Sequence, residues 1–126
     1  MSILDGFSVY SFSDGYPYVS LTNNGATFNK TVIVKLDYPE YVLLLFNDEE
    51  KKIAIQCCDA DTPKAVRFYK KKNSGIISVR WNNKDLLNSI QNMMGWDLDK
   101  GGYKADGIHI HDQNAIIFDL SKATRL

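Results

Sequence analysis

Asn24-Gly25-Ala26-Thr27-Phe28-Asn29 opens the stretch on which the fold turns, and Val32-Ile33-Val34-Lys35-Leu36, Tyr41-Val42-Leu43-Leu44-Leu45-Phe46 and Lys52-Ile53-Ala54-Ile55 complete it. A glycine turn leads into a short strand that ends aromatic-Asn. Asn29 is placed to cap a short helix with Val32, Ile33 and Leu36 on one face. Tyr38-Pro39 stops that helix, because proline cannot continue it and pushes its predecessor extended. Tyr41–Phe46 and Lys52–Gln56 then flank the polar run Asn47–Lys51 as a hairpin.

The same order returns later in the chain. Phe28-Asn29 aligns with Trp81-Asn82 at an offset of 53 residues (81 − 28). Around that anchor the second half reads Gly75, Trp81-Asn82, an apolar helix over Leu86–Met94, a strand over Tyr103–Ile110, a polar turn His111–Asn114 and a strand Ala115–Phe118. The repeat is one of pattern, β-α-β-β twice, and hardly one of letters. A lone unit of this kind leaves its hairpin with a bare apolar face, so two units are expected to interlock into a small barrel with strands alternating inward and outward.

Asn24–Gln56 and, more weakly, Ser74–Leu120 resemble the swapped-hairpin unit of the AbrB/SpoVT-like family. The resemblance implies a glycine turn, strand, helix and hairpin, with two copies interleaving their hairpins, here within one chain. It also implies a bacterial or phage regulator that binds DNA. The family usually places Ile-Pro at the end of its first strand, where this chain has Phe28-Asn29 and Trp81-Asn82. Its helix and helix approach usually carry DNA-contacting arginines, where this chain offers Lys30 and Lys35, then Arg80 and Lys84. Those departures bear on DNA contact and leave the fold expectation as it stands.

Outward from the repeat, residues 1–22 read as a leading hairpin, Phe7–Phe12 and Tyr18–Leu21, joined by Ser13-Asp14-Gly15-Tyr16-Pro17. Its aromatics Tyr10, Phe12, Tyr16 and Tyr18 are expected to touch a partner subunit rather than fill the core. Ala65–Tyr69 and Ile76–Trp81 read as strands, with Asn73-Ser74-Gly75 as the turn between them. Asn82 or Asn83 caps a helix over Lys84–Met94, whose Leu86, Leu87, Ile90, Met93 and Met94 recur at helical spacing before Gly95. The organisation expected is a single domain over 1–126: hairpin 1–22, first unit 23–61, second unit 62–120 and a fraying tail 121–126. Its class is α+β, duplicated β-α-β-β units forming a small, mainly antiparallel barrel-like sheet with one clear and one short helix.

Composition narrows the function classes. With 126 residues, 44% hydrophobic and 24% charged, the chain suits one globular domain. Seven Tyr, six Phe and two Trp supply core bulk without disulfide or metal. No apolar run reaches membrane-spanning length, and no secretory leader is visible, so a cytoplasmic place away from membranes is expected. Fifteen Lys+Arg against fifteen Asp+Glu give zero net charge, which disfavours sequence-blind coating of nucleic acid. Adjacent Cys57 and Cys58 read as reduced thiols.

The charge is, however, segregated. Residues 37–61 hold seven acids and two lysines, whereas 62–84 hold seven bases and no acid. That basic set is Lys64, Arg67, Lys70, Lys71, Lys72, Arg80 and Lys84, with Phe68, Tyr69 and Trp81 interleaved. Such a segment can follow a phosphate backbone and stack on bases, or it can neutralise the acidic stretch within the molecule or across an oligomer interface. His109 and His111 share a strand face but lack the further ligands of a structural metal. Asp97, Asp99 and Asp106 lack the spacing of a calcium loop, and Gly101-Gly102 is no phosphate loop. No nucleophile stands with a base, so neither catalysis nor a cofactor is expected. The expected function is a non-enzymatic regulator that contacts DNA or another nucleic acid through the basic segment. The alternative is a protein-interaction or scaffold module, as a homo-oligomer or with a protein partner, that binds no nucleic acid.

Overall fold

Two asparagines start the two helices in the computed structural model, which describes residues 3–8, 15–71 and 75–126. Asn29 accepts the Val32 N–H at 3.3 Å and opens α1 (Lys30–Lys35). Its carboxamide also accepts the Tyr18 N–H at 3.0 Å and donates to the Tyr16 carbonyl at 3.0 Å, so the cap pins the start of the first strand as well. Left-handed backbone at Asp37 and Tyr38, ahead of Pro39, ends α1. Of the two possible caps for α2 (Lys84–Met94), Asn83 is the one used, accepting the Leu86 N–H at 2.9 Å. Gly95, at φ 68°, closes α2 in the left-handed region that costs glycine nothing.

The strands are β1 (Tyr18–Thr22), β2 (Gly25–Phe28), β3 (Tyr41–Asn47), β4 (Lys52–Cys57), β5 (Val66–Arg67), β6 (Val79–Trp81), β7 (Tyr103–Ile110), β8 (Ala115–Asp119) and β9 (Thr124–Arg125). They form one sheet in the order β5-β3-β4-β8-β7-β1-β2-β6, with β9 added beside β7. Every pairing among the described residues is antiparallel. The result is a small α+β fold: a mostly antiparallel sheet curled into a half-barrel, with two helices. The ends of the curl approach one another at β5 and β6. There the Trp81 indole N–H donates to the Arg67 carbonyl at 3.2 Å, a side chain standing where a strand ladder would be.

Inward positions alternate along the strands as expected, with Ile53 and Ile55 on β4 and Ile116 and Phe118 on β8 fully or almost fully buried. Val32, Ile33 and Ile90 add one face of each helix. Phe28 sits at the centre, 0% exposed, with its ring 5.3 Å from Phe68, 5.1 Å from Trp81 and 5.7 Å from Phe118. Two glycines make room. At Gly25, φ 142°, a Cβ would stand 2.7 Å from the Trp81 carbonyl oxygen, so β2 could not lie against β6. At Gly107 a Cβ would meet Ile116 and Phe118.

Several expectations shift. Phe7 and Ser8 lie outside any strand, while Tyr10, Phe12 and the rest of 9–14 fall outside the described residues. The strand over Ala65–Tyr69 is only Val66–Arg67, because Phe68 and Tyr69 both turn their N–H groups toward Glu40 and Pro39 and break the alternation. The strand over Ile76–Trp81 shortens to Val79–Trp81, the length that β2 can pair. The tail lies against the sheet. Thr124 and Arg125 pair with β7, and the Leu126 N–H reaches the Gly102 carbonyl at 3.0 Å.

Phe28→Ala is expected to cost about 3–5 kcal/mol, as large aromatic deletions in a closed core do. Chemical denaturation of the variant beside the wild type measures it, with the same slope and an earlier midpoint.

Candidate functional site

The basic segment is built by β5, the connection that follows it, β6 and the start of α2. Lys64 occupies a left-handed turn (φ 66°) ahead of β5. Arg67, on β5, lays its guanidinium over the Tyr41 ring, 5.4 Å from the centroid. Lys70 and Lys71 leave the strand end exposed, and Lys72 lies outside the described residues. Arg80, mid-β6, faces outward and donates from Nε to the Thr27 hydroxyl at 3.1 Å. Lys84 is the first residue of α2. All six described cations are exposed.

Among the described residues none of these cations forms an ion pair with the acidic stretch. The ion pair there, Lys52 with Glu50 at 3.6 Å, stays within the β3–β4 hairpin. Among the described residues, the basic segment and the acidic stretch are thus not joined by a close ion pair. The interleaved aromatics also differ from expectation. Phe68 is 5% exposed and meets Trp81 edge-on at 5.6 Å, and Tyr69 packs against Tyr38 at 5.3 Å. Phe68 and Trp81 hold the seam of the half-barrel, and Tyr69 and Trp81 stay half-buried, so these rings are engaged first in packing against their neighbours. What is left outward is a row of charge.

Thr27 carries no charge to mark it in the sequence, although the alignment that sets Phe28 on Trp81 also sets Thr27 on Arg80. In the sheet those two residues are direct partners on β2 and β6.

Other clusters have quieter explanations. The His109 and His111 rings lie 4.0 Å apart and tilted, and no group of three His, Cys, Asp or Glu among the described residues is placed to hold a metal. Asp97 accepts the Asp99 N–H at 3.0 Å and so caps the tight turn Leu98–Lys100, while Asp106 lies away from it on β7. The half-buried Cys57 thiol donates to the Leu36 carbonyl at 3.6 Å, and burial pushes its pKa up, against the direction that activates a nucleophile.

Partial burial first, then the neighbouring His111 and Lys35, holds His109 below its ordinary pKa. A base depressed in the folded state adds stability that is present above its unfolded pKa of about 6.5 and is lost as pH falls below it. A proton-NMR titration should place the His109 midpoint below the free-imidazole value, and His111→Ala should recover part of the shift, since burial remains.

No protein family, no curated protein and no solved structure matches the chain.

Proposed function

We propose that this chain is a non-enzymatic regulatory protein, bacterial or phage in type and cytoplasmic, that grips the phosphate backbone of duplex nucleic acid through the surface around β5, β6 and the start of α2. The observation that carries the reading is the run of exposed cations that, among the described residues, have no acidic partner, with the aromatics between them packed against one another and the edge of the core. Exposed cations whose neighbouring rings are engaged in packing suit phosphates and a rigid duplex more than a single strand.

The reading includes an internal duplication, in which β2, α1, β3 and β4 correspond to β6, α2, β7 and β8, and β1 and β5 are the strands added at equivalent edges. Strand register supports it. Thr27 opposes Arg80, each the other's counterpart at an offset of 53. Ala54 opposes Ile117 at an offset of 63 (117 − 54), the same offset that sets buried Ile53 and Ile55 on buried Ile116 and Phe118. Each hairpin is also exchanged: β7 pairs with β1, and β3 pairs with β5. Antiparallel pairs centred on equivalent residues are what a two-fold relation between units requires. The offset grows by ten residues (63 − 53): five come from the longer helix of the second unit, 11 residues against 6, and the rest chiefly from the longer connections on either side of it.

Anisotropy titrations on duplex and single-stranded probes test the function. Duplex binding should weaken linearly in log salt, and each of Lys70→Ala, Lys71→Ala and Arg80→Ala should flatten the slope by about 0.9. Melting temperatures should stay nearly unchanged, because exposed charges add little stability. Absence of binding at ~50 mM salt, or a preference for single strands, would remove the reading.

A further inference from the structure

The outer face of the block β3-β4-β8-β7 carries an apolar row that the core does not use. Register sets Leu45 beside Ala54, Ala54 beside Ile117, and Ile117 beside Ile108. Ile108 is 64% exposed and Leu45 43%, while the alternate residues of the same strands already fill the interior. A sheet face that meets only water ordinarily carries polar residues at these positions. The row also has relief: Ala54 makes a dent between two large neighbours, and Ile108 stands proud two strands away. Beside it a hollow of about 470 Å³ is lined by Lys52, Lys104, Asp106, Ile108 and Asp119, among others.

We propose that a second copy of this chain docks on this face, sheet against sheet, about a two-fold axis running along β8. Rotation about β8 exchanges the positions of β4 and β7, which flank it. Ile108 of each copy is then set over Ala54 of the other, ridge into dent, in a self-complementary interface. The charges follow the same operation. β4 and β7 run in the same direction, each being antiparallel to β8. Lys52 lies two residues before Ala54, and Asp106 two residues before Ile108, so each lysine is brought opposite the other copy's aspartate.

Asp119 on the axis and Gln56 beside it are engaged within their own chain, and Lys52 adds the other copy's Asp106 to its exposed ion pair with Glu50. Asp119 accepts the Ser121 hydroxyl at 2.5 Å and its N–H at 3.1 Å. Gln56 donates to the Gln113 carbonyl at 3.0 Å. Lysine and aspartate at matched levels beside an apolar row complement a copy of themselves. This surface shares no residue with the basic segment, whose described cations lie on and around β5, β6 and the start of α2.

Sedimentation equilibrium of the full chain is the test. At about 100 µM, within the range where a modest interface is populated, the wild type should show twice the monomer mass of 14.3 kDa. Ile108→Asp, at an exposed position, should leave circular dichroism unchanged and raise the dissociation constant at least about tenfold, and Ala54→Phe, which fills the dent, should do the same. Lys52→Glu and Asp106→Lys should each weaken the dimer, and the double variant should restore it. A monomeric wild type overturns the proposal, whether alone or with a different protein bound. So does a dimer indifferent to Ile108→Asp and Ala54→Phe, or a charge exchange that fails to restore assembly.

Discussion

A β-hairpin with one apolar face cannot stand alone in water, and in this chain each hairpin is completed by strands from the other half. β4 lies against β8, so the two hairpins share one continuous ladder. β7 takes β1 on its other edge, and β3 takes β5. β2 against β6 ties the entry strands together. Neither half holds enough pairing partners to satisfy its own backbone, and the buried face of each is closed by residues distant in sequence. Folding is correspondingly committed to long-range contacts, with the entropy of closing large loops met before the ladder rewards it.

The aromatic group at the seam follows from that arrangement. β5 and β6 end the curled sheet without pairing to each other, and Phe28, Phe68 and Trp81 fill the space between them. Drawing those rings inward leaves the cations of the same segment outward, where alternation along short strands and a charged connection keep them in solvent. Arg67 and Arg80 are steadied by Tyr41 and Thr27 respectively, contacts that orient the side chains without neutralising them. The proposed phosphate contact thus depends on the way the half-barrel is closed, and the proposed dimer face depends on the opposite property, an outer surface of the shared ladder that the core leaves over.

Much of the fold was legible in the sequence where a local signal and the tertiary partner agree. The α2 helix has helical spacing, an asparagine cap and a glycine stop, and its bounds are those expected, Lys84–Met94. The hairpins around Asn47–Lys51 and His111–Asn114 announce themselves through polar turns between apolar runs. Val66–Arg67 and Val79–Trp81 were over-extended, because the length of an edge strand is set by its partner rather than by its own alternation. The ordered tail was invisible, since two residues of strand carry no period. At the candidate site the cations were readable as charge, but Phe68 and Trp81 were not separable from base-stacking aromatics without knowing which strand face closes the seam. Thr27 was reachable only by following the 53-residue offset one position further.

The claim that the two halves interleave and cannot close separately is tested most directly by cutting the chain in the loop after β4 and studying residues 1–60 and 61–126 apart and together. Interleaving predicts that neither fragment alone gives a cooperative unfolding transition, and that mixing them restores the far-ultraviolet spectrum and the melting transition of the intact chain. A fragment that folds cooperatively by itself, or a mixture that stays unfolded while the uncut protein folds through one half, would contradict it.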